Sequence, residues 1–596
     1  MTTKQKLEAL RRQMRLHHLQ GYLIVTDDFH ASEYVGDYFK TREYVSGFTG
    51  SAGTLVVLEN EAALFTDGRY FLQADAQLSG SGIKLMKIGN PGVPKIPEYL
   101  KKMLSENDAL GFDGRTVSHQ LAAQLHEALD EKKIRFEMGE DLVDLIWPDR
   151  PAMSKQPVWE LSEDYTGMDR TEKLEELRSD LGDLGADACL ISALDEIAWL
   201  LNLRGADVAY TPVFLSFLLV TGEKATLFLH REILSEELAK KLEASGITLA
   251  SYEAVEAALG QLEGGCRLLL DEAKISERLV CAVPRNVKRI YAMSSITRRK
   301  AVKNQQEMAH TRLAHIRDGA AVTHFIYWLK KHVADGTITE LSAAEKLCEF
   351  RSRQEGFLYD SFAPIIAYGP HGAIVHYEAT EQTNVTLEPH GFCLADTGGH
   401  YLDGSTDITR TIALGPLTEE EIHAFTCVLR GHIALATARF PKGLCGQNLD
   451  ILARMPLWQE GLDFNHGTGH GVGYLLDVHE GPQRIHWRIR QEQEIIPFEE
   501  GMITSDEPGL YLEGKFGIRH ENLLLCVEDR GQGRPSFLHF EPLTLVPFDR
   551  DAMDVTMLTQ PERQALNAYH AKVYENLKTY FSGEELDWLA EVTAPL

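Results

Sequence analysis

Residues 392–414 read FCLADTGGHYLDGSTDITRTIAL, and how this stretch is read decides the fold. Phe392 to Thr397 is an apolar strand ending in Asp396. Gly398 to Gly404 reads as a turn, and Ser405 to Leu414 as the return strand, with Asp407 inside it among β-forming residues. The two aspartates are eleven residues apart, so a hairpin brings both to one point. An aspartate at a strand end is commonly a turn residue. That explanation serves for Asp396 alone but not for Asp407.

The segments further along supply more ligand-type side chains. His466 to Gly473 reads HGTGHGVG, and four glycines in eight residues make a poor helix. His466 and His470 are therefore not a helical i, i+4 pair of the HExxH kind. The segment is also not a dinucleotide fingerprint, because Val472 stands where the third glycine belongs. Its glycines would let backbone approach a ligand closely. Val478 to Gly481, VHEG, adds His479. Met502 to Gly509, MITSDEPG, is a short strand that ends at Glu507. Gly517 to Val527, GIRHENLLLCV, reads as a longer strand with Glu521 inside it. Arg519 is two residues from Glu521 and so shares its face, where a guanidinium neutralises and orients surplus carboxylate. Asp396, Asp407, His470, Glu507 and Glu521 make a ligand set for two hard divalent cations. Two adjacent cations sharing a water form a hydrolytic centre.

The N-terminal half contains an internal echo. KLEALR at 6–11 returns as KLEELR at 173–178, Leu23-Ile24 as Leu190-Ile191, and Asp28 as Asp195, all at an offset of 167. Each stretch runs helix, apolar strand, acidic turn, which predicts two copies of one α/β domain. In the first copy strands are expected at Thr54–Leu58 and Ala62–Phe65, with TDGRY at 66–70 opening a helix. In the second they are expected at Val213–Val220 and Ala225–Leu229. The proline-containing stretch from Trp147 to Val158 reads as the linker between copies. Helices are predicted over 304–333 and 339–353. Strands are expected to dominate from there to about Val527, followed by a helical tail over 560–591 with Trp588 and Leu589 as packing residues. The boundaries so read are 1–155, 156–297 and 298–596.

A chain of 596 residues calls for several domains. The net charge of -28 argues against a nucleic-acid partner, which requires clustered Lys and Arg. No secretory signal and no bilayer-length apolar run is visible, so neither secretion nor a membrane partner is expected. The eight cysteines form no close CxxC pair. They read as reduced, buried thiols of a cytoplasmic protein.

Taken together, SGFTGSAG, TDGRYFLQA, LDEIAWLLNLRG, AYGPHGAIVHY, HGTGHGVG, VHEGP, DEPGLY, FGIRHEN and FEPLTLVP resemble the three-domain cytosolic Xaa-Pro aminopeptidases of the pita-bread metallopeptidase family. These segments span Ser46 to Pro547, nearly the whole chain. The resemblance implies an α/β (α+β) protein with two similar α/β N-terminal domains, creatinase-like in type. A C-terminal pita-bread metallopeptidase domain with a helical extension follows them. It implies five metal ligands in the order Asp396, Asp407, His470, Glu507 and Glu521, with Asp407 and Glu521 bridging two ions. Asp396 would complete one ion, and His470 and Glu507 the other. The metal implied is Mn²⁺, with Zn²⁺ or Co²⁺ as alternatives. The implied reaction removes the N-terminal residue ahead of a second-position proline, by attack of a water bridging the two ions. Glu507 would accept a proton, His376 and His479 would act at the scissile bond, and His466 and Arg69 would contact substrate. A homodimer is also implied. His520, where relatives often carry an aliphatic residue, is expected to face away from the metals. The alternatives are an Xaa-Pro dipeptidase, an amidinohydrolase of the creatinase type, or a non-catalytic pita-bread binding module. The last two lack the full ligand set, and the doubled N-terminal domain argues against the first.

Overall fold

The structure is a computed structural model that describes residues 1–488, 495–529 and 537–596. Its contacts divide the chain into two compact units. One comprises Met1–Leu161 with Met168–Ile296, and the other Ser162–Gly167 with Thr297–Leu596.

The first unit holds two six-stranded sheets of identical topology. In the first, the strand order is Ile83–Lys87, Ala62–Thr66, Thr54–Leu58, Gly21–Val25, Ala109–Phe112, Arg135–Glu137. In the second it is Ile247–Ser251, Ala225–Leu229, Ser216–Thr221, Ala188–Ile191, Arg267–Leu270, Lys288–Tyr291. Each sheet mixes two antiparallel pairings at its centre with parallel pairings toward its edges. The opening helices, Thr3–Leu16 and Arg170–Asp183, keep the offset of 167. The echo in the sequence is thus a repeat in three dimensions. The helix expected to open at TDGRY begins later, at Phe71, because Arg69 and Tyr70 are taken up in a turn closed by the Asp67 side chain.

In the second unit, helix Gln305–His332 starts at a capping box. The Asn304 side chain accepts from the Glu307 amide at 2.9 Å, and Glu307 accepts from the Asn304 amide at 3.0 Å. Helix Glu340–Ser352 packs beside it over Val322, Phe325, Ile326, Leu329, Ala343 and Leu347, all buried. Strand Phe392–Thr397 lies between Ile365–Tyr368 and Ile408–Ala413, antiparallel to both. A four-stranded sheet orders Arg439–Pro441, Phe537–Pro542, Asn522–Asp529 and Ile503–Asp506. The tail forms helices Gln560–Leu577 and Gly583–Val592, with Leu589 buried and Trp588 partly so.

Four further expectations require correction. Strands do not dominate throughout to Val527. Helices Glu419–Ala436 and Gly446–Gln459 intervene, the first opened by a Thr418–Glu421 capping box. The turn after Asp396 is itself a small hairpin, Gly399–Tyr401 with Gly404–Ser405, so Asp407 enters the next strand rather than lying inside it. The predicted strand over 517–527 is two strands, Phe516–Arg519 and Asn522–Asp529. Each pairs in a different sheet, and His520 and Glu521 lie at the break. The cysteines form no disulfide, but Cys281 is exposed, and Cys266 and Cys348 are only half-buried.

Candidate metal centre

The local folds explain how five distant side chains meet. Asp396 pairs across the sheet with Thr409, and Asp407 sits one residue before strand Ile408–Ala413 on the same side as Thr409. Asp506 pairs with Asn522, so one step further along the same register Glu507 stands opposite Glu521. His470 comes from the short strand Gly469–His470, whose amide donates to Ser505 Oγ at 2.9 Å. A glycine is required at 469, since a Cβ there would lie 1.9 Å from the Ser505 carbonyl oxygen.

Donor atoms of Asp407, His470 and Glu521 all lie within 4.8 Å of one another. His470 Nε2 is 3.6 Å from Asp407 Oδ2 and 3.4 Å from Glu507 Oε1. The other ring nitrogen, Nδ1, is 3.0 Å from the Gly471 carbonyl oxygen. Donation there places the proton on Nδ1 and leaves the Nε2 lone pair facing the carboxylates, the arrangement of a metal ligand. Asp396 receives the Arg519 guanidinium on Oδ2, and Glu521 Oε2 accepts from Thr409 Oγ1 at 2.7 Å. The remaining oxygens, Asp396 Oδ1 and Glu521 Oε1, are buried with no hydrogen-bond partner. Buried polar atoms are ordinarily satisfied. Two unpaired carboxylate oxygens beside a converging imidazole fit hard divalent cations.

The electrostatics point the same way. Burial pushes the Asp407 carboxyl well above the usual carboxylate range, and the charges of Glu521 and Asp396 add to the rise. Burial likewise raises Glu507, with Asp407 and Asp396 adding to it against the pull of Arg519. Glu521 is raised by burial and then by Glu507 and Asp396. One guanidinium does not neutralise four carboxylates, whereas two dications would.

Arg519, whose strand ends before Glu521, forms its ion pair with Asp396. Its guanidinium also donates to Tyr511 Oη at 2.7 Å and Thr409 Oγ1 at 3.2 Å. His466 reaches the same Tyr511 hydroxyl through Nε2 at 2.8 Å. The His479 ring centroid is 4.4 Å from that of His470 and 6.5 Å from that of His376, so the three imidazoles line one side of the centre. His520 faces away, packed against Phe425 and Phe548 with Nε2 3.3 Å from the Phe425 carbonyl oxygen. Burial holds that ring neutral. Arg69 belongs to the other unit, where Asp67 holds its guanidinium through both carboxylate oxygens and Glu33 adds a third contact at 3.2 Å.

Three contributors were not singled out in the sequence: Thr409, Ser505 and Tyr511. The signal for the first two was period-two spacing from Asp407 and Glu507, which puts them on the ligands' own face. Ser505 Oγ donates to Glu507 Oε1 at 3.2 Å. Tyr511 has no such signal, since its strand Gly509–Leu512 reaches the site only by pairing with Phe516–Arg519.

Residues 309–528 match metallopeptidase family M24, and residues 536–596 match the C-terminal region of that peptidase family. Residues 6–144 and 149–307 each match a creatinase/prolidase N-terminal domain. Fold and site together define a pita-bread metallopeptidase. "Aminopeptidase P2" of Arabidopsis thaliana is 39% identical over 97% of this chain and 86% of its own length. "Probable Xaa-Pro aminopeptidase P" of Talaromyces marneffei is 40% identical over 100% of this chain and 92% of its own. The X-prolyl aminopeptidase of Caenorhabditis elegans, described as a cytosolic enzyme with a di-nuclear active site, superposes with a TM-score of 0.95. It is 35% identical, with 100% of both chains covered. An Xaa-Pro dipeptidase from Bacillus anthracis, 23% identical with a TM-score of 0.51, covers 64% of this chain and 99% of its own, and shares the fold. The chain belongs to the Xaa-Pro aminopeptidase P family.

Proposed function

We propose that this protein is a metal-dependent aminopeptidase that removes the N-terminal residue from peptides with proline in second position. Asp396, Asp407, His470, Glu507 and Glu521 would hold two divalent cations. The observation that carries the reading is the convergence of Asp407, His470 and Glu521 within 4.8 Å, next to carboxylate oxygens that have no other partner. Full-length similarity to Xaa-Pro aminopeptidases supports the substrate class. Bound cations would lower the pKa of a water and polarise the scissile carbonyl.

The chain's own residues supply the proton management. An Xaa-Pro bond has no N–H for recognition, and its nitrogen must gain a proton to leave. Glu507 accepts a proton from the attacking water, and His376 and His479 stabilise the developing oxyanion and return a proton to the proline nitrogen. His466 lines the pocket through its contact with Tyr511. The oxygen-rich donor set favours Mn²⁺, with Zn²⁺ or Co²⁺ as alternatives. We assign domains 1–155, 156–297 and 298–596, a division that the matches at 6–144, 149–307 and 309–528 support. A homodimer in the cytoplasm completes the reading. Helix Gly446–Gln459 supports the dimer, since it turns Ile451, Met455 and Trp458 outward at i, i+4 and i+7, an apolar stripe in need of cover. The described residues contain no helix long and apolar enough to cross a membrane.

The test is hydrolysis of Xaa-Pro and Xaa-Pro-Xaa peptides after chelation and Mn²⁺ reconstitution, with metal stoichiometry measured on the same sample. Cleavage of the tripeptide at the Xaa-Pro bond is expected. Turnover of the dipeptide alone would make the protein a prolidase.

A further inference from the structure

The two aspartates of the centre are flanked by threonines that point away from it to one buried ion pair. Thr397 follows Asp396, and Thr406 precedes Asp407. Asp318 of helix Gln305–His332 and Arg351 of helix Glu340–Ser352 are both fully buried, with Arg351 Nε 2.8 Å from Asp318 Oδ1. Arg351 Nη2 donates to Thr397 Oγ1 at 3.0 Å, and Thr406 Oγ1 donates to Asp318 Oδ2 at 2.8 Å. The hairpin between the aspartates is fastened at its tip as well, since Tyr401 Oη donates to Asp318 Oδ1 at 2.8 Å. The Gly399 amide closes the loop on Thr406 Oγ1 at 2.9 Å.

Buried ion pairs contribute little net stability compared with apolar residues of the same volume, and fixing register is their best-attested use. Here the pair grips the residue after one aspartate and the residue before the other. It therefore sets how far apart Asp396 and Asp407 stand. His470 and Glu507 are carried by other elements, the strand Gly469–His470 and the end of the strand Ile503–Asp506.

We propose that Asp318 and Arg351 are positioning residues for the cation that Asp396 and Asp407 share. The proposal rests on the two-cation reading above. Because Asp407 would also reach the ion held by His470 and Glu507, loosening the grip should weaken both ions, and more strongly the one that Asp396 completes. Partners of metal ligands typically govern roughly ten- to a hundredfold in affinity.

The experiment is calorimetric titration of Mn²⁺ alone into the chelated full-length protein and into Thr397→Val, Thr406→Val and Asp318→Asn. Each is checked for folding by circular dichroism and melting. The expected result is two ions in the unmutated chain and, in the variants, one ion weakened by about ten- to a hundredfold and the other by less. Thr397→Val removes the link to Arg351, Thr406→Val removes those to Asp318 and to the Gly399 amide, and both keep the ion pair, so they decide the matter if Asp318→Asn does not fold. Folded threonine variants that bind both ions as the unmutated chain does, or that weaken both equally, would overturn the proposal. Fewer than two ions in the unmutated chain would instead bring down the two-cation reading, and the proposal with it.

Discussion

Chelation followed by metal titration across pH tests the electrostatics of the centre directly. Donor atoms of Asp407 and Glu521 lie within 4.8 Å of each other in a buried site. If both were ionised, their repulsion at that separation would be about 3 kcal/mol at an effective dielectric of about 20. Desolvation is the larger cost, and together with the neighbouring carboxylates it raises the pKa values of Asp407, Glu507 and Glu521. The metal-free protein therefore keeps protons on these carboxyls at pH values where free carboxyls have lost them. Cations can bind only as those protons leave. Each proton released makes the apparent metal affinity climb about tenfold per pH unit, about 1.4 kcal/mol. The sign for stability follows from the raised pKa values. In the metal-free protein their contribution is fully present below the unfolded carboxyl pKa of about 4, and it is lost as pH rises through the folded values. The metal-free melting midpoint should fall over that rise, and added Mn²⁺ should restore it. The assay is calorimetric titration in two buffers of different ionisation enthalpy, at about pH 6, 7 and 8, which gives the number of protons released. Zero release with an affinity flat in pH would refute the reasoning, because the carboxylates would then be ionised without metal and could not stand as close as the structure has them.

Two substitutions separate holding the metal from using it, and a third tests the packing of the aspartate hairpin. His470→Ala removes the imidazole that faces Asp407 and Glu507, and should abolish turnover together with full metal occupancy. His376→Ala, at a ring 6.5 Å from His479, should lower kcat with metal content unchanged, and loss of metal would exclude the role assigned to it. Gly398→Ala would set a Cβ 2.0 Å from the Thr406 carbonyl oxygen and 2.2 Å from Ser361 Oγ. It should lower the melting midpoint by an amount corresponding to about 1–3 kcal/mol, and an unchanged midpoint would mean that the hairpin yields freely.

The chain's repeat and its candidate ligands were legible in the sequence for different reasons. The N-terminal repeat could be read because helix and strand keep one register, Leu23 against Leu190 and Asp28 against Asp195. Asp396 and Glu507 could be read because each stands at the end of an apolar strand, the second ahead of Pro508-Gly509, whereas Asp407 and Glu521 read as strand-interior residues and stand just before strands. What could not be read was where one strand becomes two. Phe516 to Asp529 has β-forming residues on both sides of His520, and nothing local marks the break. The break is caused at long range. Glu521 N donates to the Thr409 carbonyl oxygen at 3.1 Å, and the Arg410 guanidinium donates to the Glu521 carbonyl oxygen at 2.6 Å.

That break explains why Arg519 and Glu521 act together. On one uninterrupted strand they would share a face by alternation alone. Here the chain changes sheets between them, yet Thr409 Oγ1 donates to Glu521 and accepts from Arg519 Nε. A single hydroxyl on the aspartate hairpin thus sets the distance from the guanidinium to the carboxylate that would bridge the ions. The charge partner and the ligand are coordinated through the Asp396–Asp407 hairpin, to which the Asp318–Arg351 pair is also fastened. The spacing of the aspartates and the placement of Arg519 therefore depend on the same short piece of backbone, Thr397 to Thr409.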